Sequence, residues 1–266
     1  MSTIQAYWAI ISTRFRMLLQ YRAAAVAGFG TQLFWGLIRV MIFEAFYRST
    51  TAPQPMTYQE VVNYVWLGQA LLMLLPGSVD REIYAMIRNG SVAYELLRPL
   101  DLYAIWFSRA VAARTAPALL RSIPLFALAW LFFGLQLPPS LGSAAAWLLA
   151  TLGAVLLGCA ITALMTITLL WTISGEGIAQ LVPTAVYLLA GMVVPLPLFP
   201  AWAQPLLNFL PFRGLMDVPF RLYMGHIPAQ EVLPLFAHQI VWTVALVLAG
   251  RWLLSRGMRR LVVQGG

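Results

Sequence analysis

The chain has 266 residues, of which 61% are hydrophobic and 10% charged, far outside the composition of soluble domains, and it reads as an all-α polytopic membrane protein. All seventeen of its basic residues are arginine, and without a lysine it lacks the G-x-x-x-x-G-K-[ST] loop that a nucleotide-hydrolysing subunit needs. A net charge of +8 would point to nucleic acid in a soluble chain, but here the arginines flank apolar runs, where they meet anionic lipid and set orientation.

Ile4, Tyr7, Trp8, Ile11, Phe15, Leu18 and Leu19 recur at helical spacing opposite Gln5, Ser12, Arg16 and Gln20, which predicts an amphipathic interfacial helix over 1–22. Arg14, Arg16 and Arg22 follow the apolar residues, the reverse of a cleavable signal peptide, so the amino terminus is expected to be retained. A ruler of about 20 apolar residues per crossing places six transmembrane helices near 23–46, 58–76, 116–135, 143–171, 178–198 and 235–254. An even number of crossings puts both termini on one side. That side collects the three amino-terminal arginines, the five between spans two and three (Arg81, Arg88, Arg98, Arg109, Arg114) and Arg251, Arg256, Arg259 and Arg260 of the tail. Against Arg48, Arg213 and Arg221 opposite, the positive-inside rule makes both termini cytoplasmic.

The connection at 77–103 reads as two short helices. Ser78 is expected to cap the first, with Asp80 and Glu82 in its opening turn and Arg88 in its last; Ser91 is expected to cap the second, which carries Glu95 and stops at Pro99. Asp101 is placed to cap the helix leading into span three. Gly153, Gly158, Ala160 and Ala163 offer a small face for close helix approach, and Cys159 among them reads as a buried small residue. Prolines at 195, 197, 200, 205, 211, 219 and 228 forbid one continuous helix and predict broken outward-side structure, with Trp202, Phe209, Phe212 and Phe220 at the interface.

Arg39 and Glu44 in span one, and Asn63, Gln69, Met73, Gln180 and Tyr187 on spans two and five, are the candidates for a translocation path. Snorkelling or ion pairing also accounts for the first two, and interhelical hydrogen bonds for the polar others, so both readings stand. Glu176, between Gly175 and Gly177, either docks against a partner or caps a helix. His226 and His238 have no cysteine or acid cluster around them, and no serine sits in a nucleophile setting, so no metal ligand and no catalytic residue are assigned.

Gly191-Met-Val-Val-Pro-Leu-Pro-Leu-Phe-Pro-Ala-Trp, Leu207-Asn-Phe-Leu-Pro-Phe, Pro219 and Tyr223-Met-Gly225 resemble the outward segment of bacterial ABC transporter permeases of the type-two exporter class, whose fold is called type V. Arg88-Asn-Gly-Ser-Val-Ala-Tyr-Glu-Leu-Leu-Arg-Pro-Leu100 is similar to that family's cytoplasmic loop, and Arg256 to Gly266 to its short basic tails. The resemblance implies a single permease domain over 1–266 in the bacterial cytoplasmic membrane, with a coupling segment at 77–103 and re-entrant helices at 195–230. It implies a dimer with a second permease, usually a related but different chain and otherwise a second copy, bound to two copies of an ABC ATPase subunit. ATP and Mg would act in those partners, and this chain would hold no cofactor. Asp80, Arg81, Glu82, Arg88, Glu95, Arg98 and Glu176 would face the ATPase. The expected activity is outward export of a small hydrophobic or cationic compound, drug-like or toxic, or of a lipid. The alternative is a secondary transporter driven by an ion gradient, which calls for ionisable residues deep in several spans, whereas 122–212 offers only Glu176.

Overall fold

The computed structural model describes residues 3–171 and 176–258 and has, among them, eleven α-helices and no strand. In chain order these are α1 (Thr3–Leu19), α2 (Arg22–Ser49), α3 (Tyr58–Ala70), α4 (Arg81–Arg88), α5 (Val92–Leu96), α6 (Leu102–Phe132), α7 (Leu141–Thr168), α8 (Glu176–Leu189), α9 (Gln204–Phe209), α10 (Asp217–Tyr223) and α11 (Val232–Met258). Four of them, α2, α6, α7 and α11 with the turn before it, are long and apolar enough to cross a membrane.

The second and fifth expected spans come out shorter than the apolar runs that predicted them. α3 has 13 residues and gives way to a 3-10 turn at Leu72–Leu74, and α8 has 14 residues with Pro183 inside it. At 1.5 Å per residue α3 covers about 20 Å, against a hydrocarbon core of about 30 Å. Burial lets the helix stop there: every residue from Val61 to Ala70 is buried, and irregular backbone at membrane depth is tolerated where protein surrounds it. The helix leading into the third span is capped by Asp101 as expected, the carboxylate accepting from the Ala104 N–H at 2.9 Å, and it runs unbroken from Leu102 through the span placed from residue 116. Arg109 and Arg114 are therefore helix residues of α6, not loop residues.

α7 is the central helix, the most enclosed of the four long ones. Its small residues make that possible. A Cβ on Gly158 would lie 2.9 Å from the Leu74 carbonyl oxygen, and one on Gly153 would lie 2.2 Å from Gln239 Oε1. Through Gly153 the buried Gln239 of α11 reaches across, its Nε2 donating to the carbonyls of Ala150 (2.9 Å) and Gly214 (2.6 Å). Cys159 is fully buried on the same helix.

One end of the bundle is rich in arginine and is tied by ion pairs. Arg109 of α6 grips Asp80 with Nε and Nη2, at 2.9 and 3.1 Å, and donates to Glu82 at 2.6 Å. Arg14 of α1 donates to the same two carboxylates, at 3.4 and 3.0 Å. Tyr7 of α1 accepts the Asp101 N–H at 2.9 Å, and Arg251 of α11 donates to Asp101 at 2.8 Å. α1 is thus a helix separate from α2, docked along α6, with Ile4 and Trp8 exposed.

Asp80 rather than Ser78 caps α4, its Oδ1 accepting from the N–H groups of Glu82 and Ile83; a carboxylate already pinned by two arginines sits where the helix must start. Ser91 makes no cap either. The Asn89 side chain instead accepts from the Ser91 N–H and hydroxyl, at 3.0 and 2.6 Å.

At the other end, 195–230 forms short helices and 3-10 turns packed back onto α7 and α11. Trp202 and Phe209 are exposed as expected, but Phe220 is buried, edge-on to Tyr64 at 5.0 Å, and Phe212 is partly buried against the main core. α10 turns Pro219 and Phe220 inward and the 3-10 turn Pro211–Leu215 brings Phe212 against the core, so these rings fill the core and not an interface.

Substituting Gly158→Ala is expected to cost about 1–3 kcal/mol by overpacking, read as a lowered thermal midpoint in detergent. Gly30→Ala on α2, where a Cβ meets nothing within 4 Å, should instead gain about 0.5–1 kcal/mol. A second prediction concerns pH. Burial pushes the Asp80 carboxyl up, but the hydrogen bonds and charge of Arg109, with the charge of Arg14, hold it below its ordinary value. The Arg14 hydrogen bond, with Arg109, does the same for Glu82 against weaker desolvation. A depressed folded pKa gives stability that is present above the ordinary carboxylate range and lost as pH falls through the depressed value. Asp80→Asn keeps the cap and removes the charge, so it should lower the stability at pH 7 by about 2 kcal/mol, between the cost of breaking an exposed and a fully buried pair, read as a lowered thermal midpoint. That difference should shrink below about pH 4.

Candidate functional site

Two cavities meet inside the bundle. The larger, about 910 Å³, is a groove between α2, the end of α3, the end of α8 and the stretch Met192–Val194. Its wall is mostly apolar, with Thr31, Gln32 and Arg39 from α2, Gln54 from the following loop and Gln69 from α3 as polar members. Arg39 Nη2 donates to the Val193 carbonyl at 2.7 Å, which fixes the guanidinium across the groove. Gln32 is buried, and neither its amide nitrogen nor its oxygen has a hydrogen-bond partner among the described residues.

The smaller cavity, about 280 Å³, lies at the arginine-rich end between the α3–α4 connection, α6, α7 and α8. Arg114, Thr162, Thr166 and Asp80 line it. Leu72 and Tyr187 line both cavities, so these two side chains form the partition between them. The partition sits at the 3-10 turn that ends α3, and the same backbone runs on through Gly77 to Asp80 and α4.

Of the seven residues expected on a translocation path, Arg39, Gln69 and Tyr187 line the groove and Met73 lines the smaller cavity. Glu44 turns away to Arg48, one turn along α2, at 2.5 Å. Asn63 bonds Gln59 and Gln136, and accepts the Gln136 N–H at 2.9 Å, at the proline-rich end. Gln180 is exposed on α8 and lines neither cavity. Periodicity marks a polar residue in a span without saying which neighbour its face meets. Gln32 carried the same signal as Asn63, a lone amide in an apolar run, and went unassigned; Arg114 was concealed by its assignment to a loop.

The seven residues expected to face a partner divide in the same way. Asp80 and Glu82 are engaged by Arg14 and Arg109, holding α4 in place. Glu95 is buried and paired with Arg98 at 3.3 Å. Arg81, Arg88 and Arg98 are exposed, with Arg88 beside Tyr84 at 3.3 Å. Around them Tyr94 and Leu97 are 73% and 80% exposed, an apolar patch on a polar face. Glu176 begins α8, and its side chain lies outside the described residues, as does the tail from Arg259.

His226 pairs with Glu60, and His238 is within 3.2 Å of the Trp242 indole nitrogen. No group of three His, Cys, Asp or Glu suited to a metal occurs among the described residues.

Neither a curated protein nor a solved structure matches the chain. A family model described as ABC-2 family transporter protein matches residues 33–265, and the chain, with its long apolar helices, belongs to that family of integral-membrane permease components.

Proposed function

We propose that this chain is the membrane permease of an ATP-driven exporter, with the arginine-rich end cytoplasmic and six passes through the bilayer, α3 and α8 being the two broken ones. Membership of the ABC-2 family implies association with an ABC ATPase. The absence of lysine fits that division of labour, since the hydrolysing loop must come from another chain. ATP and Mg act there, in two ATPase copies.

The observation that carries the reading is the direct backbone path from α4 to the partition. α4 and α5 present Arg81, Arg88, Arg98, Tyr94 and Leu97 outward, a charged rim around an apolar patch of the kind that partner surfaces use. Behind them, Asp80 and Glu82 clamp the segment to α1 and α6. Closure of the ATPases pushes α4, the push travels along 75–80, and Leu72 shifts against Tyr187, joining the smaller cavity to the groove. α2 leaves Phe34, Trp35, Met41 and Ile42 exposed beside the groove, an apolar face for a second permease, a related chain or another copy. A hydrophobic drug-like or lipid cargo fits the groove better than a cation, because Arg39 sets the only charge on a mostly apolar wall and that charge is positive.

Purification in mild detergent should recover the chain with ABC ATPase subunits and a second permease; recovery of the chain alone, with transport retained in liposomes and driven by an ion gradient, would defeat the reading. Arg81→Glu with Arg88→Glu should weaken ATPase association about tenfold or more and abolish transport, with the fold and thermal midpoint unchanged. Arg16→Glu, on the exposed side of α1, should leave association as it is.

A further inference from the structure

Among the described residues, Arg114 is a cation without a counter-ion. It lies on α6 in the floor of the smaller cavity, is 5% exposed, and its Nε and Nη2 have no hydrogen-bond partner among the described residues. The carboxylate nearest to hand, Asp80, lines the same cavity, but both of its oxygens are taken by Arg109, Arg14 and the α4 cap. Thr162 and Thr166 also line the space, but their hydroxyls are neutral and already donate to the carbonyls of Gly158 (3.0 Å) and Thr162 (2.8 Å), so they supply no counter-charge. Gly158 of α7 packs beside the guanidinium, where an added Cβ would stand 3.4 Å from Arg114 Nε, an ordinary contact distance.

An unpaired charge buried in this way costs several kcal/mol, and a natural core does not keep one without a use. With Arg14 and Arg81 at the mouth, three arginines and one already neutralised carboxylate line the cavity. Its volume of about 280 Å³ holds several waters or one compact polar group. A guanidinium offers two parallel N–H donors in a fork that matches a planar or tetrahedral oxyanion, with phosphate the usual partner.

We propose that this cavity is a binding site for a phosphate group, held in a two-point contact by Arg114 and admitted past Arg14 and Arg81 from the arginine-rich end. The phosphate is either the head of an acidic lipid or a free phosphate. Occupancy supplies the missing counter-charge directly beneath α4 and beside Tyr187, so the site sits on the path between the coupling face and the groove. The assignment does not depend on the cargo, the ATPase or the direction of transport.

The test uses the full chain in neutral detergent, with thermal unfolding and native mass spectrometry as readouts. The probes are dioleoyl phosphatidate, inorganic phosphate and, as the uncharged control, dioleoylglycerol. Phosphatidate is expected to raise the midpoint and remain bound while dioleoylglycerol does neither. Stabilisation by inorganic phosphate as well identifies a site for the free anion, and stabilisation by phosphatidate alone identifies a lipid site. Equal effects of phosphatidate and dioleoylglycerol would overturn the proposal.

Arg114→Met should raise the midpoint without ligand, because it removes a buried unpaired charge, and should abolish the phosphatidate shift. A lowered midpoint with the shift retained would mean a packing role only and would also overturn it. If Arg114→Met does not fold, Arg114→Lys decides: it keeps the charge and loses the fork, so affinity should fall about tenfold, and unchanged affinity refutes the two-point contact.

Discussion

Asp80 makes α4 part of the molecule. A helix of eight residues does not hold together by itself, and α4 is held because one carboxylate does three things at once: it caps the helix, takes a two-point bond from Arg109 of α6, and accepts from Arg14 of α1. The three elements come from distant parts of the chain. Glu82, one residue into the helix, repeats the link to both arginines at its exposed edge. Ile83, pointing the other way, is buried in the cluster that includes Tyr103 and Trp106 of α6. Polar clamp and apolar anchor together fix the helix on two sides, so a push on its exposed face moves the segment as a body.

The second constraint is that a backbone in an apolar medium must satisfy itself. α7 meets it as one long helix whose small residues let neighbours approach closely. α3 and α8 meet it differently, by stopping where other protein covers the open ends. The Leu72–Leu74 turn satisfies the N–H groups of Leu74 and Leu75 locally, on the carbonyls of Leu71 and Leu72, and the Leu74 carbonyl faces Gly158 at a distance only glycine permits. The break in α3 and the glycine of α7 are therefore one feature. It places the thin partition of Leu72 and Tyr187 at the 3-10 turn that follows α3.

Much of this architecture was legible in the sequence. Apolar length alone gave α2, α7 and α11 to within a few residues, because a long uncharged run has few ways to be satisfied other than as a helix. The proline spacing gave the broken character of 195–230 for an equally local reason. What escaped depends on tertiary neighbours. Asp80 and Ser78 are both good caps in isolation, and the choice is made by arginines 29 residues ahead and 66 residues behind in the chain. The Asp101 cap gave the start of α6, while the apolar ruler began its span only at residue 116, because Arg109 and Arg114 interrupt the apolar run until one is paired and the other enclosed. In the site, Arg39, Gln69 and Tyr187 were found from polarity within a span, whereas Glu44, Asn63 and Gln180 have the same local signal and point elsewhere; Leu72 has no signal at all.

The arginines show the limit of reading by charge alone. Counted by position they form one class, the mark of one face of a membrane. In the fold they separate. Arg14 and Arg109 are internal fasteners with both partners supplied by this chain; Arg81, Arg88 and Arg98 are exposed on the face that carries Tyr94 and Leu97; Arg114 is enclosed, its Nε and Nη2 without a partner among the described residues. Lysine could serve the surface role, since a flexible ammonium reaches lipid headgroups well. It could not take the place of Arg109, which bonds Asp80 through Nε and Nη2 while Nη2 also reaches Glu82, because that needs a planar fork of fixed geometry. The interior uses of arginine, not its count on one side, are what this structure depends on.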